Sequence, residues 1–304
     1  MFATLLGALP RPPLPVDAPR DALVEAAVRA QEEAGLDPVT DGRPPADDDR
    51  DLADLWAATQ RLTHRTAKQA VTGPFTASGV GGATGDRADA ILARARALNA
   101  ALRELAAAGC PLIEIHEPGL TTMTADEAEK ALFREAHLRL LDGLEGSHLS
   151  LALTGGNADA AGIETLLAAP YASLAVDLIA GPDNWRLVAA TPGDRGIICG
   201  TLSAAPDSED GPELLLWAAG YAASTGGRGP ARVGLASASS FADLSWDVAV
   251  RKLERLGEAA RLADQPVDTR VRSLDPRAVS SRSAALGRVD LPPSPRPDPG
   301  DDST

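Results

Sequence analysis

The sequence predicts an α/β chain, a (β/α)8 barrel followed by a Pro-rich acidic tail. Three observations lead there. Short apolar runs alternate with longer amphipathic stretches along most of the 304 residues. Eight such strand–helix pairs fit before the periodicity fades near Gln265, which is the length a barrel of this class needs. The glycine-rich stretch GVGGATG, Gly79–Gly85, follows the third strand, whereas an open doubly wound sheet that binds a dinucleotide carries its fingerprint after the first.

The apolar run Phe2–Leu6 is the first strand and Arg20–Ala34 the helix after it. Asp37–Thr40 and Gln69–Thr72 are the next two strands, with Asp49–Leu62 as the helix between them. Gly79–Gly85 reads as a lid or capping loop, phosphate binding being the other reading. The helix Asp86–Ala108 closes on Gly109, placed where a left-handed C-terminal residue belongs. Leu112–His116 is the fourth strand, and Thr124 with Glu127 gives its helix, Thr124–Leu144, a capping-box start. Leu149–Thr154, Ser173–Leu178, Gly196–Cys199 and Arg232–Ala236 complete the strands. Their helices are Ala160–Ala169, Asp183–Ala190, Gly211–Ala223 and Phe241–Leu262. Trp56, Trp185, Trp217 and Trp246 lie on predicted helices and are expected to pack against the barrel, while His64 and His137 are expected at the surface. Residues 1–263 form the predicted domain, and 264–304, ending LPPSPRPDPGDDST, a disordered tail.

A formal charge of −14 with only three lysines excludes a phosphate-backbone partner and a polybasic membrane anchor. No apolar run approaches the roughly 18 to 20 residues that span a bilayer, and the N-terminus lacks the charged and apolar regions of a signal peptide. Cys110 and Cys199 sit in apolar surroundings, so a reducing, cytoplasmic location is expected. The expected partner is a small molecule at the barrel mouth, with the oligomeric state left open.

The stretch CPLIEIHEPGL, Cys110–Leu120, carries the site reading. Alternation puts Ile113 and Ile115 against the helices and turns Glu114 and His116 inward. His116 and Glu117 then lie near the C-terminal mouth, where barrel enzymes keep their chemistry, as an acid/base pair. A structural hydrogen-bond network inside the barrel is the competing reading. Arg11, Arg43 and Arg195 are expected on loops of the same rim, where guanidinium groups clamp carboxylates or phosphates, surface solvation being the other reading. Cys199 is read either as a small buried hydrophobe or, with Asp177 and His116, as part of a mixed metal site.

Several segments resemble the cobalamin-independent methionine synthase family. IEIHEPGL resembles its IxIDEPxL, LLGALPRP its GSLPRP, QEEAGLDPVTDGR its QExxGLDxxxDGE, and VTGPFT its TGPxT. VAVRKLERLGEAA is similar to the last helix of smaller single-domain relatives. The resemblance covers about residues 2–263 and is closest to the catalytic C-terminal barrel of that family, in the superfamily that includes uroporphyrinogen decarboxylase. It implies methyl transfer from methyltetrahydrofolate to a thiol activated by zinc bound to one His, two Cys and one Glu. The implied ligand positions fall here on Ala152, Thr154, Asp177 and Ser239, so both thiolates and the imidazole are missing. The acidic residue of the DGE segment is Arg43, the aspartate of IDEP is His116, and the catalytic histidine falls at Thr201. Zinc, expected from the family, thus loses its ligands. The resemblance implies a divergent methyltransferase with a folate-type donor and a small acceptor, the alternative being a non-catalytic barrel that binds an anionic ligand or a protein. Candidate ligand-binding residues are Arg11, Arg43, Thr72, Glu114, Thr154, Asp177 and Ser239.

Overall fold

The computed structural model describes residues 1–47, 51–79, 85–208 and 210–266. Both the tail and the centre of the Gly79–Gly85 loop lie outside the described residues. Seven parallel strands form one curved sheet: β1 (Phe2–Thr4), β2 (Gln69–Thr72), β3 (Leu112–His116), β4 (His148–Leu153), β5 (Ser173–Asp177), β6 (Gly196–Leu202) and β7 (Val233–Ser237). Their order is β1-β7-β6-β5-β4-β3-β2, a half-barrel in which each strand after β2 pairs with its predecessor and the chain's first strand joins its last.

The predicted second strand, Asp37–Thr40, does not join this ladder. It makes isolated bridges instead, Ala3 to Asp37 on one side and Val39 to Ala67 on the other. Asp37 N–H donates to the Ala3 carbonyl at 3.0 Å and Val39 N–H to that of Thr66 at 2.9 Å. Pro38 has no N–H to give, which is why the segment cannot carry a continuous ladder. Its carbonyl accepts the Thr4 hydroxyl at 2.9 Å.

Period-two alternation sorts the sheet as the sequence predicts. Ile113, Ile115, Leu151, Leu174, Val176, Ile197 and Leu235 belong to the large core shared with the helices. Leu6, Ala152, Ala175, Ile198 and Ala236 form a separate inner cluster, with Phe2 packed on it. Gly234 is part of that inner packing, because a Cβ there would run into the Phe2 ring.

The helices are α1 (Arg20–Ala34), α2 (Leu52–Arg61), α3 (Pro74–Ala77), α4 (Asp86–Ala107), α5 (Glu127–Leu140), α6 (Ile163–Leu166), α7 (Trp185–Ala190), α8 (Pro212–Ser224) and α9 (Trp246–Ala263). Gly109, with φ of 96°, follows α4 as its left-handed terminator, as the sequence predicts. Two expectations are corrected. The expected helix Ala160–Ala169 is a 3-10 turn and the short α6, broken by Gly162 at φ 77°. The capping box is replaced by Asp126, whose carboxylate accepts the Ala128 N–H at 3.0 Å, while Thr124 is tied to Glu129.

The last helix returns to the first. Gly257 of α9 lies against the Ala34 carbonyl of α1, with no room for a Cβ. Gly257→Ala should therefore push α9 off α1 and cost about 1–3 kcal/mol, the usual range for overpacking, seen as a lower urea midpoint with unchanged slope.

Candidate functional site on the inner face

Because Glu114 and His116 are two apart on β3, both point to the inner face, and the strand lines their side chains up. Glu114 is fully buried and His116 only 4% exposed. The ring Nε2 lies 2.7 Å from Glu114 Oε1, and Lys68 Nζ donates to Oε2 at 2.8 Å. Lys68, just before β2, had not been singled out in the sequence. Its signal was parity, since 68 shares the inner face with Ala70 and Thr72.

Burial opposes ionisation of Glu114, but the Lys68 ammonium and the His116 ring outweigh it and hold the carboxyl at about 2. The same burial pulls Lys68 below the usual lysine range, against the attraction of Glu114. An ionised Glu114 can only accept, so His116 donates through Nε2–H and keeps Nδ1 as a lone-pair acceptor. Among the described residues Nδ1 has no hydrogen-bond partner. Nearby on the inner face, across the β3–β4 ladder from Glu114, the buried Ser150 hydroxyl also lacks a partner.

Glu117 does not pair with His116. Past the end of β3 its side chain turns the other way, beneath α3, and is fully buried. Its carboxylate accepts the N–H groups of Phe75 at 3.0 Å and Thr76 at 2.7 Å, and the Thr76 hydroxyl at 2.5 Å. His137 Nε2 adds a fourth contact at 3.1 Å, and its Nδ1 lies 2.5 Å from the Tyr171 hydroxyl. His137, expected at the surface, is buried and stacked on Phe133 at 3.9 Å. Burial, then the Glu117 charge, raises the Tyr171 phenol well above its ordinary value. The TGPFT and HEPG segments thus hold each other: Thr76 Oγ1 also accepts the Gly119 N–H at 3.0 Å, and a Cβ on Gly73 would collide with the Glu117 carboxylate. Glu117 is a structural residue here, not half of an acid/base pair.

The remaining candidates separate. Asp177 ends β5 buried, accepting the N–H groups of Gly155 at 3.0 Å and of Ile179 and Ala180 at 2.9 Å each. Thr72 is half-buried, its hydroxyl 3.5 Å from the Pro45 carbonyl, and Thr154 and Ser239 are half-buried just past β4 and β7. Arg11 is exposed and spends its guanidinium on the Pro15 and Val16 carbonyls. Arg43 forks onto Asp41. Arg195 is not on the rim: it precedes β6, at the opposite end of the sheet, and donates to the Tyr171 carbonyl at 2.9 Å. Cys199 faces α8, its Sγ 3.9 Å from the Ala218 carbonyl, with burial raising the thiol to about 12. It therefore lies behind the sheet from His116, and the mixed site with Asp177 does not assemble. Nor do the positions implied for zinc fit the ion: Ala152 offers no donor, Thr154 and Ser239 offer hydroxyls for thiolates, and Asp177 is engaged by three amides. Among the described residues no group of three His, Cys, Asp or Glu is disposed to hold a metal ion.

Fold and site together define an α/β half-barrel with a carboxylate-bonded histidine on its inner wall. The model of the cobalamin-independent synthase N-terminal domain matches residues 39–203, more than half of the chain, and the chain belongs to that family. The sequence motifs had resembled the catalytic C-terminal half; the matching model describes the N-terminal domain. A B12-independent methionine synthase from Shewanella sp. W3-18-1, solved with selenomethionine, superposes with a TM-score of 0.72 at 16% identity, over 90% of this chain and 99% of that one. A protein assigned as a vitamin-B12 independent methionine synthase from Listeria monocytogenes gives 0.65 at 16% identity, over 86% and 97%. At such identity the likeness is one of fold. No curated protein matches the chain.

Two outcomes follow. Glu114→Gln leaves the Lys68 ammonium buried without its counter-ion and should cost about 3–5 kcal/mol. Because folding lowers the Glu114 value from 4.5 to about 2, its contribution is complete above the higher figure and disappears toward the lower one, so the acid limb of a urea-midpoint profile should flatten in the variant. Glu117→Ala orphans two buried amides and His137, and should cost at least about 3 kcal/mol, measured as a fall in denaturation midpoint.

Proposed function

We propose that this chain is a methionine synthase-like protein that takes a small ligand over His116, at the C-terminal ends of the strands, and acts on it as a methyltransferase with a folate-type donor. The observation that carries this reading is the orientation of His116: Glu114 and Lys68 fix its Nε2 side and leave Nδ1 free to accept a hydrogen bond or a proton. Such a carboxylate-oriented imidazole is the arrangement general bases use. Thr72 and Thr154, at the ends of the flanking strands, are the neighbouring groups for polar atoms of the ligand. No step runs through zinc, since the residues do not fit it. The reading also takes Asp37–Thr40 as the eighth strand of a closed barrel, supported by the parallel bridge of Val39 to Ala67 beside β2. A cytoplasmic location accords with two buried free thiols. No helix among the described residues is long and apolar enough to cross a membrane.

One observation favours a second reading, binding without catalysis: alanine, threonine and serine stand where the family's thiol-activating ligands are implied. Methyltetrahydrofolate titration by calorimetry, followed by a methyl-transfer assay with homocysteine, separates the two. Binding is expected, with His116→Ala weakening it by roughly ten-fold or more at a temperature where the variant, which also loses its buried hydrogen bond to Glu114, remains folded. Binding without turnover would select the second reading, and no binding would refute the folate assignment.

A further inference from the structure

The inner face has a second opening, at the N-terminal ends of the strands and so at the far end from His116. A cavity of about 580 Å³ lies there. That is within the roughly 300–1,000 Å³ in which proteins hold small molecules. Leu112, His148, Ser173 and Gly196, the first residues of β3, β4, β5 and β6, all line it. Ser173 and Gly196 lie opposite each other in register, where a barrel usually sets branched side chains. Phe2 and Ile198 bring part of the inner apolar cluster to the cavity wall.

Four ionisable side chains reach this space: Asp37, His148, Asp194 and Arg232. Three of them have partners. The Asp37 carboxylate accepts the Thr66 N–H at 3.2 Å, Asp194 pairs with Arg195 at 3.7 Å, and His148 Nε2 lies 2.9 Å from the Ser173 hydroxyl. Partial burial pulls His148 below its ordinary value, so its ring is neutral near pH 7. Arg232, exposed at the edge just before β7, has no hydrogen bond or ion pair among the described residues.

We propose that this cavity binds a small carboxylate with an apolar body, such as an aromatic acid, its ring against Phe2, Leu112 and Ile198 and its carboxylate on Arg232. The wall and the charges select this class together. An apolar wall gains from a carbon body and gives nothing to a bare anion. The guanidinium fork matches a carboxylate. Asp37 and Asp194 beside the opening oppose a dianion such as phosphate more than a singly charged acid.

The test uses the full chain with phenylacetate, and with benzylamine and inorganic phosphate for comparison. Calorimetry should show saturable binding of phenylacetate, stronger than that of either comparison compound. In histidine-ring NMR spectra phenylacetate should shift the His148 signals, assigned with His148→Gln, and leave those of His116 in place. Arg232→Gln should weaken phenylacetate binding by roughly five-fold, the upper end for an exposed ion pair, with unchanged melting temperature and unchanged methyltetrahydrofolate titration. No saturable binding overturns the proposal. So does binding that moves His116 instead of His148, binding that Arg232→Gln leaves intact, or preference for benzylamine or phosphate. The two ligands are read at opposite ends of the sheet, so this site and the folate assignment can each fail alone.

Discussion

A carboxylate taken out of water has to find its donors inside the protein, and two glutamates around the end of β3 do so in opposite directions. Glu114 turns inward, between Lys68 and His116. Glu117 turns outward and gathers two amides, a hydroxyl and an imidazole. The first pairing links the segment before β2 to β3 on the inner face. The second links α3, β3 and α5 behind it. Removing either carboxylate would leave its donors stranded in an environment that offers no substitute.

That division gives two of the family-like segments a structural reason to occur together. The HEP and TGPFT segments fit each other as parts of one clasp, with Gly73 bare to admit Glu117. Their contacts hold α3 to the end of β3. The positions that would supply thiolates make no comparable structural contacts, and Ala152 simply packs with its inner neighbours. His116 is held through Nε2 by Glu114, and its Nδ1 has no hydrogen bond among the described residues.

Asp177 and Cys199 show how position along a strand misleads when the environment is unknown. The sequence places both at C-terminal strand ends, but β6 runs on to Leu202 and leaves Cys199 in mid-strand. Asp177 is consumed by the amides of the loops that follow β4 and β5, and Cys199 points into the helical layer. Arg195 was misplaced because a loop arginine carries no periodicity to say which end of the sheet it occupies.

The sequence by itself determined the order of the seven ladder strands and the parity that turns Glu114 and His116 inward. These follow from local period and residue identity, which need no knowledge of distant neighbours. Only the tertiary structure decided which donors each buried carboxylate meets: Lys68 lies 46 residues from Glu114 and Phe75 42 from Glu117. It also decided that His137 is buried and Trp217 is not, because burial depends on what packs across the chain and not on a residue's own type.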